Sequence, residues 1–379
     1  IRGVHRALKI NLSFRSFLLI RTDRLVKTFC DLVTIDSPSG LEEEVTQDLE
    51  RRFLALGFQP SRDAHGNLIA TEDGDKPLML SAHMDTVDPG RGIKPMVDGD
   101  TIRSDGTTIL GGDCKAGIAA ILEALESIKE SGRTRQPVQL VFTKGEEIGL
   151  VGARNLDLSL IKADRAFVFD GNGPVSKITT ASPTYISIEV HITGRAAHAG
   201  VEPEKGLSAI KIATEIISLL PQGRIDEETT INVGTISGGS VRNAVPEEAR
   251  FSGEFRSRNT ETLDLLKLQV LDAINLAKNK YQEAIISEEL TVEFQMYTLG
   301  ENDPMVEEAC RILRLLDLNP ELGPSGGGTD ANIFNRAGIR CAVVGMATRE
   351  MHTVREHVVI PDLVDAARFC EELLVQCLN

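Results

Sequence analysis

Four short apolar runs, separated by helical patterns, constrain the fold of this chain more than any other feature. They cover residues 78–82, 138–142, 166–169 and 341–344. Such compact apolar runs are typical of central strands whose two faces are both covered. Because strands alternating with helices favour parallel pairing, the pattern predicts an α/β fold with a mostly parallel, doubly wound sheet.

The pattern changes near residue 184. Ile186, Ile188, Val190 and Ile192 alternate with polar residues, which is typical of a strand with one solvated face in an antiparallel sheet. Residues 208–297 then continue as helix, two strands, long helix and strand. We therefore predict an inserted α+β domain with the order β-α-β-β-α-β.

Chain length supports this division, because 379 residues exceed what one ordinary core accommodates. We expect one domain from residues 22–183 and 298–379, and an inserted domain from residues 184–297. Residues 1–21 carry five basic and no acidic side chains, and the sequence begins with Ile. A transit peptide, an upstream extension and an expression remnant share such features, so this segment is left out of the fold prediction.

Composition disfavours nucleic acid and membranes as partners and favours a reducing compartment. The formal net charge of -15 disfavours binding to nucleic acid or to anionic membranes, and no apolar run approaches the length of a membrane span. The six cysteines are scattered without a C-x-x-C pair. This spacing favours a reducing compartment over a disulfide framework, and we expect a cytoplasmic protein.

Polar side chains follow the apolar runs or begin the helix between two of them. These residues are His83, Asp85, Asp113, Glu146, Glu147, Asp170 and His352. Each has an ordinary explanation by itself, such as a helix cap for Asp113 or a surface position for His352. Because ligands bind at the carboxyl ends of strands in open α/β sheets, we expect these side chains to converge.

This set of side chains suits divalent metal ions. Two imidazoles and several carboxylates are the ligands expected for two borderline-soft ions, with zinc favoured and cobalt or manganese as alternatives. We predict that Asp113 bridges the two ions. His83 and Asp170 would complete one site, and Glu147 and His352 the other.

The remaining two side chains are the predicted catalytic residues. Adjacent glutamates on an extended chain point apart, so Glu146 is free to act as general base on a hydroxide that bridges the metals and attacks a carbonyl. Asp85 lies two residues after His83 and can accept the second N–H of that imidazole.

Five motifs together resemble those of peptidase T and its relatives among the dizinc aminoacylases, desuccinylases and glutamate carboxypeptidases. The motifs are SAHMDTV at 81–87, GDCKAG at 112–117, FTKGEEIG at 142–149, DG at 170–171 and HTVRE at 352–356. The resemblance runs from about residue 22 to the C-terminus. It implies the metal roles above, amide-bond hydrolysis, a cis peptide bond after Asp113 and an inserted lid or dimerisation domain that forms a homodimer.

The resemblance also implies three substrate-binding residues. His198, in GRAAHAG at 194–200, would reach a substrate carbonyl in the partner subunit, and Asn243 would contact substrate. Arg256 would hold a substrate carboxylate, for which its bidentate geometry is suited. Structural alternatives stay open, with His198 as a turn residue and Arg256 as a solubilising residue at a strand edge.

One position departs from the family pattern. Peptidase T commonly has aspartate after the bridging residue, whereas this chain has Cys114 and is closer to a peptidase T-like subgroup. We therefore expect a dizinc hydrolase, an aminopeptidase on short peptides. The first alternative is an N-acyl amino acid deacylase or carboxypeptidase. The second alternative is a metal-binding module without activity, which the presence of Glu146 disfavours.

Overall fold

The computed structural model describes residues 20–376. Most of the basic N-terminal segment and Cys377 therefore lie outside the described residues. Within them, no helix has both the length and the apolar character needed to span a bilayer.

Nine α-helices occur in the described part of the chain. They are α1 (Thr22–Val33), α2 (Glu43–Leu56), α3 (Gly112–Ser131), α4 (Val151–Arg154), α5 (Ala209–Leu219), α6 (Thr260–Lys280), α7 (Pro304–Leu315), α8 (Asp330–Arg336) and α9 (Ile360–Gln376).

The strands of residues 20–376 form three sheets. They are β1 (Pro60–Arg62), β2 (Leu68–Thr71), β3 (Leu78–His83), β4 (Met96–Asp98), β5 (Thr101–Arg103), β6 (Val138–Thr143), β7 (Arg165–Gly171), β8 (Lys177–Ser182), β9 (Thr184–Thr193), β10 (Gly223–Arg224), β11 (Thr229–Gly238), β12 (Glu248–Ser257), β13 (Ile285–Phe294), β14 (Tyr297–Thr298), β15 (Glu321–Pro324), β16 (Arg340–Gly345), β17 (Thr348–Arg349) and β18 (His357–Val359).

The largest sheet contains the four predicted apolar runs as neighbouring strands. Its order is β1-β2-β6-β3-β7-β16-β8-β14, with β15 beside β8. Strands β6, β3, β7 and β16 are parallel, whereas β1, β2, β8 and β14 each pair antiparallel with a neighbour. The predicted fold class is confirmed, with antiparallel strands added toward both edges. The four parallel strands bring their carboxyl ends to one edge.

The second sheet is antiparallel, with the order β10-β11-β12-β9-β13. Its helices α5 and α6 contact strands of this sheet. The apolar residues of β9, such as Ile188 and Val190, are buried, while Glu189 and His191 between and after them are exposed. The alternation therefore has the predicted cause, one face packed under helices and one face solvated.

Two separate clusters of buried apolar side chains follow from these sheets. One surrounds the large sheet and includes Phe29, Phe167 and Phe369. The other lies within residues 186–290, between the second sheet and its helices. A third, small antiparallel sheet has the order β17-β18-β5-β4.

Helix α3 approaches strand β7 closely because residue 117 is glycine. A Cβ atom at Gly117 would lie 2.3 Å from the carbonyl oxygen of Phe169 and 2.8 Å from its Cβ. Asp113 lies in the first turn of α3, and Asp170 follows Phe169 in β7. The close approach therefore packs the N-terminal part of α3 against the end of β7.

We expect Gly117→Ala to lower the free energy of unfolding by about 1–3 kcal/mol, because the added methyl group forces α3 away from β7. Urea unfolding measures the change. Gly300→Ala is the matched control, since nothing lies within 4 Å of a Cβ at Gly300. Equal stability of the two variants would show that α3 has room to accept the methyl group.

Candidate metal centre

The strand order brings the predicted metal ligands to one place. His83 is the last residue of β3, and Asp170 lies at the end of β7, the strand beside it. Glu146 and Glu147 follow β6, which pairs with β3 on its other side. Asp113 reaches the same edge from the first turn of α3. The carboxyl ends of three neighbouring parallel strands thus form the floor of the site.

The two carboxylate oxygens of Asp113 face two different imidazoles. His83 Nε2 lies 3.1 Å from Asp113 Oδ1 and 3.6 Å from Asp170 Oδ1. His352 Nε2 lies 3.0 Å from Asp113 Oδ2 and 3.0 Å from Glu147 Oε1. Through these contacts the five predicted ligands form two groups that share Asp113. His83 and Glu147 also have ligand atoms within 4.8 Å of one another and of Glu146. The peptide bond between Asp113 and Cys114 is cis.

Burial and mutual repulsion shift the pKa values of these carboxyl groups. Burial raises the pKa of Asp170 to about 8 and also raises that of Glu147. Burial together with the neighbouring Asp170 raises the pKa of Glu146 well above its usual range. Burial alone would raise the pKa of Asp113, but hydrogen bonds with His352 and His83 hold it below the usual range. Buried carboxyl groups thus outnumber the imidazoles that balance them.

The residues present fit divalent cations. His83, Asp113 and Asp170, together with Cys114, place one ligand atom each within 4.8 Å of one another, and Asp113, Glu147 and His352 form a second such group. Oε1 of Glu147 is buried and lies 3.0 Å from Nε2 of His352, its partner within this group. Positive ions would compensate the excess negative charge of these carboxylates.

The loop that carries His352 has an unusual backbone. His352 has φ +63°, in the left-handed region that residues with a Cβ rarely adopt, and Glu350 has φ +51°. The side chain of Arg355 donates to Glu350 across this loop at 2.6 Å. Hydrogen bonds with Asp113 and Glu147 raise the pKa of His352 to about 10. A metal ion would have to displace this proton.

Asp85 contacts both the imidazole of His83 and the loop that follows β6. Nδ1 of His83 lies 2.9 Å from the main-chain oxygen of Asp85 and 3.4 Å from its carboxylate. The carboxylate also accepts the main-chain N–H groups of Glu146 at 3.0 Å and Glu147 at 3.2 Å. The main chain of Asp85 thus orients the imidazole, and its side chain holds the loop that follows β6.

Glu356 is the last residue of the HTVRE motif, and its side chain is buried. Its carboxylate accepts the main-chain N–H groups of Leu110, Gly111 and Asp113 at 2.8, 2.8 and 3.0 Å. Burial and the nearby Asp113 raise its pKa to about 7. Its position four residues after His352 was the only signal in the sequence, and Glu356 fixes the turn from which Asp113 projects.

A cavity of about 740 Å³ opens over the predicted metal ligands. Arg256 lines it, as do Gly327, Gly328 and Thr329 of the loop that precedes α8. The Arg256 guanidinium lies 4.4 Å from the ring centroid of Tyr185. Glu254 accepts from Arg256 Nε at 3.0 Å and from Nη2 at 2.9 Å. The arginine therefore faces the cavity with an internal carboxylate as partner.

His198 and Asn243 lie together but do not line this cavity. Both are exposed, and the main-chain N–H of Ala199 donates to the main-chain oxygen of Asn243 at 3.0 Å. Nδ1 of His198 accepts from the N–H of Gly200 at 3.2 Å. Within one chain, the two predicted lid residues are thus separate from the ligand cluster.

Comparison with known protein families gives two matches. The model described as peptidase dimerisation domain matches residues 180–282, and the model of peptidase family M28 matches residues 67–175. The uncharacterized protein YqjE of Bacillus subtilis is 37% identical over 366 residues, which are 92% of this chain and 97% of that protein.

Two solved structures are similar in both sequence and fold. A tripeptidase from Staphylococcus aureus has 34% sequence identity and a TM-score of 0.88, covering 94% of this chain and 98% of its own. Aminopeptidase PepT from Bacillus cereus has 35% identity and a TM-score of 0.84, covering 95% and 100%.

We expect Zn²⁺, Mn²⁺ or Co²⁺ to raise the melting temperature, because an ion at 100 times its Kd stabilises the folded state by about 2.7 kcal/mol. The shift should be smaller at pH 6 than at pH 8, since protons on His352 and Asp170 compete with the ion. Scanning fluorimetry with and without a chelator measures it. Asp113→Ala should lose the shift and exposed Asp264→Ala should keep it; an equal shift in both would place the ions elsewhere.

Proposed function

This chain belongs to the peptidase T-like family of metallopeptidases, and we propose that it acts as a dizinc aminopeptidase on short peptides. The observation that carries the proposal is the position of Asp113, whose two oxygens face two separate groups of ligands. The tripeptidase and aminopeptidase relatives support peptides as the substrate.

The ligands for two ions are assigned from these contacts. Asp113 would be shared, with His83 and Asp170 on one side and His352 and Glu147 on the other. The mixture of nitrogen and carboxylate oxygen ligands matches zinc best, with cobalt and manganese as alternatives. When bound, the ions would polarise the scissile carbonyl and increase the acidity of the attacking water.

Glu146 moves the proton in this proposal. Its carboxylate lines the cavity and lies among the ligand atoms, close to His83 and Glu147. It would take a proton from the attacking water and deliver it to the nitrogen of the leaving amine. The main-chain N–H of Glu146 donates to the carboxylate of Asp85. This hydrogen bond fixes the backbone from which the Glu146 side chain projects.

Arg256 is the proposed partner of a substrate carboxylate. Its planar guanidinium is stacked on Tyr185 and points into the cavity. A substrate would have to share Arg256 with Glu254 or displace it.

A panel of tripeptides, N-blocked tripeptides and N-acyl amino acids distinguishes the possible reactions. Hydrolysis limited to peptides with a free amino terminus supports the aminopeptidase, and preference for N-acyl amino acids supports the deacylase.

We expect Glu146→Gln to lower kcat by about two to four orders of magnitude while metal content stays unchanged, because the amide cannot accept the proton. Steady-state kinetics and elemental analysis on the same preparation measure both. Glu147→Gln, the neighbouring change, should instead reduce metal content together with activity. Full turnover by Glu146→Gln would remove Glu146 as the base.

The inserted segment is the proposed dimer interface, and we retain residues 184–297 as its bounds. The match to a peptidase dimerisation domain supports this. In the second sheet β11 pairs with β10 over two residues only, which leaves its second half without a partner strand on that side in the described chain. Ile236 on this half and the nearby Val241 are more than half exposed. A second copy could cover this edge, as expected for a two-fold dimer.

A dimer would also give His198 and Asn243 a site to act on. Both are exposed on the inserted segment and lie outside the cavity of their own chain. We propose that they reach the partner's cavity, where His198 donates a hydrogen bond to the substrate carbonyl as negative charge develops on its oxygen. Substrate binding would then depend on both subunits.

A mixture of two inactive variants tests this arrangement. We expect His198→Ala and Glu146→Gln to recover activity after subunit exchange, because a mixed dimer contains one cavity with both groups. Random exchange gives about one quarter of wild-type activity. Mixing His198→Ala with Asn243→Ala is the control without recovery, since each cavity then lacks one lid residue. If the first mixture also stays inactive despite exchange, His198 does not act across subunits.

The cytoplasm is the proposed compartment. The cysteines within residues 20–376 are all free thiols, and four of these five are buried. A reducing environment keeps such thiols from oxidation.

A further inference from the structure

The turn between α1 and α2 packs beneath the candidate site. Ser37 Oγ donates to the main-chain oxygen of Met84 at 2.9 Å, and the N–H of Thr86 donates to the main-chain oxygen of Ser37 at 2.9 Å. Ser39 Oγ donates to Asp85 Oδ2 at 2.6 Å. This turn therefore contacts the residues that follow β3 on both sides of Asp85.

Glu42 ends this turn and is fully buried. Its Oε1 accepts the main-chain N–H of Gly40 at 2.8 Å and that of Gly145 at 3.1 Å. Oε2 makes no hydrogen bond, although Lys144 Nζ lies 3.5 Å away. Burying a carboxylate with an incomplete set of partners costs free energy.

The hydrogen bonds of Glu42 continue into those of Asp85. Glu42 accepts the N–H of Gly145, while Asp85 accepts those of Glu146 and Glu147. The successive main-chain N–H groups of residues 145–147 thus donate to two buried carboxylates, those of Glu42 and Asp85. Gly145 has φ +59°, so the chain turns sharply immediately before Glu146. The two carboxylates define the direction in which the Glu146 side chain leaves the backbone.

We propose that Glu42 is a positioning residue for Glu146 and acts through the main-chain N–H of Gly145. The inference rests on the proposed role of Glu146 as general base. Proton transfer requires close approach between base and water, and a displacement of about 1 Å can cost a factor of about 100 in rate. Glu42 lies outside both ligand groups, so it affects the base without contributing a metal ligand.

Three substitutions at residue 42 separate positioning from packing. Glu42→Ala removes the acceptor, and Glu42→Asp withdraws it by one methylene while keeping the charge. Glu42→Gln keeps an oxygen that can accept from Gly145. We expect the first two to lower kcat by about 10–100-fold with KM and metal content unchanged. Glu42→Gln should stay within about threefold of wild type. Exposed Glu44→Ala, two residues along, is the control and should match wild type.

A double-mutant cycle decides whether Glu42 acts through Glu146. Glu42→Asp should cause little further loss of kcat in a Glu146→Gln background, because the base is already absent. An equal fold loss in both backgrounds would overturn the proposal, as would full kcat in Glu42→Asp or equal losses in Glu42→Gln and Glu42→Ala. Failure of the general-base assignment shows separately, as full turnover by Glu146→Gln alone.

Discussion

One buried carboxylate, that of Asp113, lies between two imidazoles, and the rest of the site depends on this arrangement. Each of its oxygens faces a different histidine, at 3.1 Å for His83 and 3.0 Å for His352. Burial makes unbalanced charge costly, and two further carboxylates, Asp170 and Glu147, adjoin the same histidines. Divalent ions would balance this excess of buried negative charge. The carboxylates that make the cluster costly without ions therefore favour a metal centre.

A second layer of buried groups keeps the carboxylates in place. Glu356 accepts three N–H groups from the turn that carries Asp113, and Asp85 accepts two from the loop that carries Glu146. Glu42 extends this layer to Gly145. Because these carboxylates hold the main chain beside Asp113 and Glu146, the fold itself positions the predicted ligands, which favours a preorganised site.

The large sheet and the convergence of the candidate ligands could be predicted from the sequence because both follow from local pattern. Apolar runs identify β3, β6 and β7, and chain direction then places His83 and Asp170 at one edge. Glu42 and Glu356 could not be recognised in this way. Each has charged neighbours in sequence that are exposed, and only tertiary contacts bury it. The pairing of Arg256 with Glu254 likewise depends on side-chain geometry.

Counting the metal ions bound to each chain tests the central claim most directly. After reconstitution with Zn²⁺ and removal of excess ion, elemental analysis should find two ions per chain, and Asp113→Ala should retain fewer than one because both sites lose a ligand. Exposed Asp264→Ala should still retain two. A single ion in the wild-type protein after full reconstitution would contradict the assignment of Asp113 as a shared ligand.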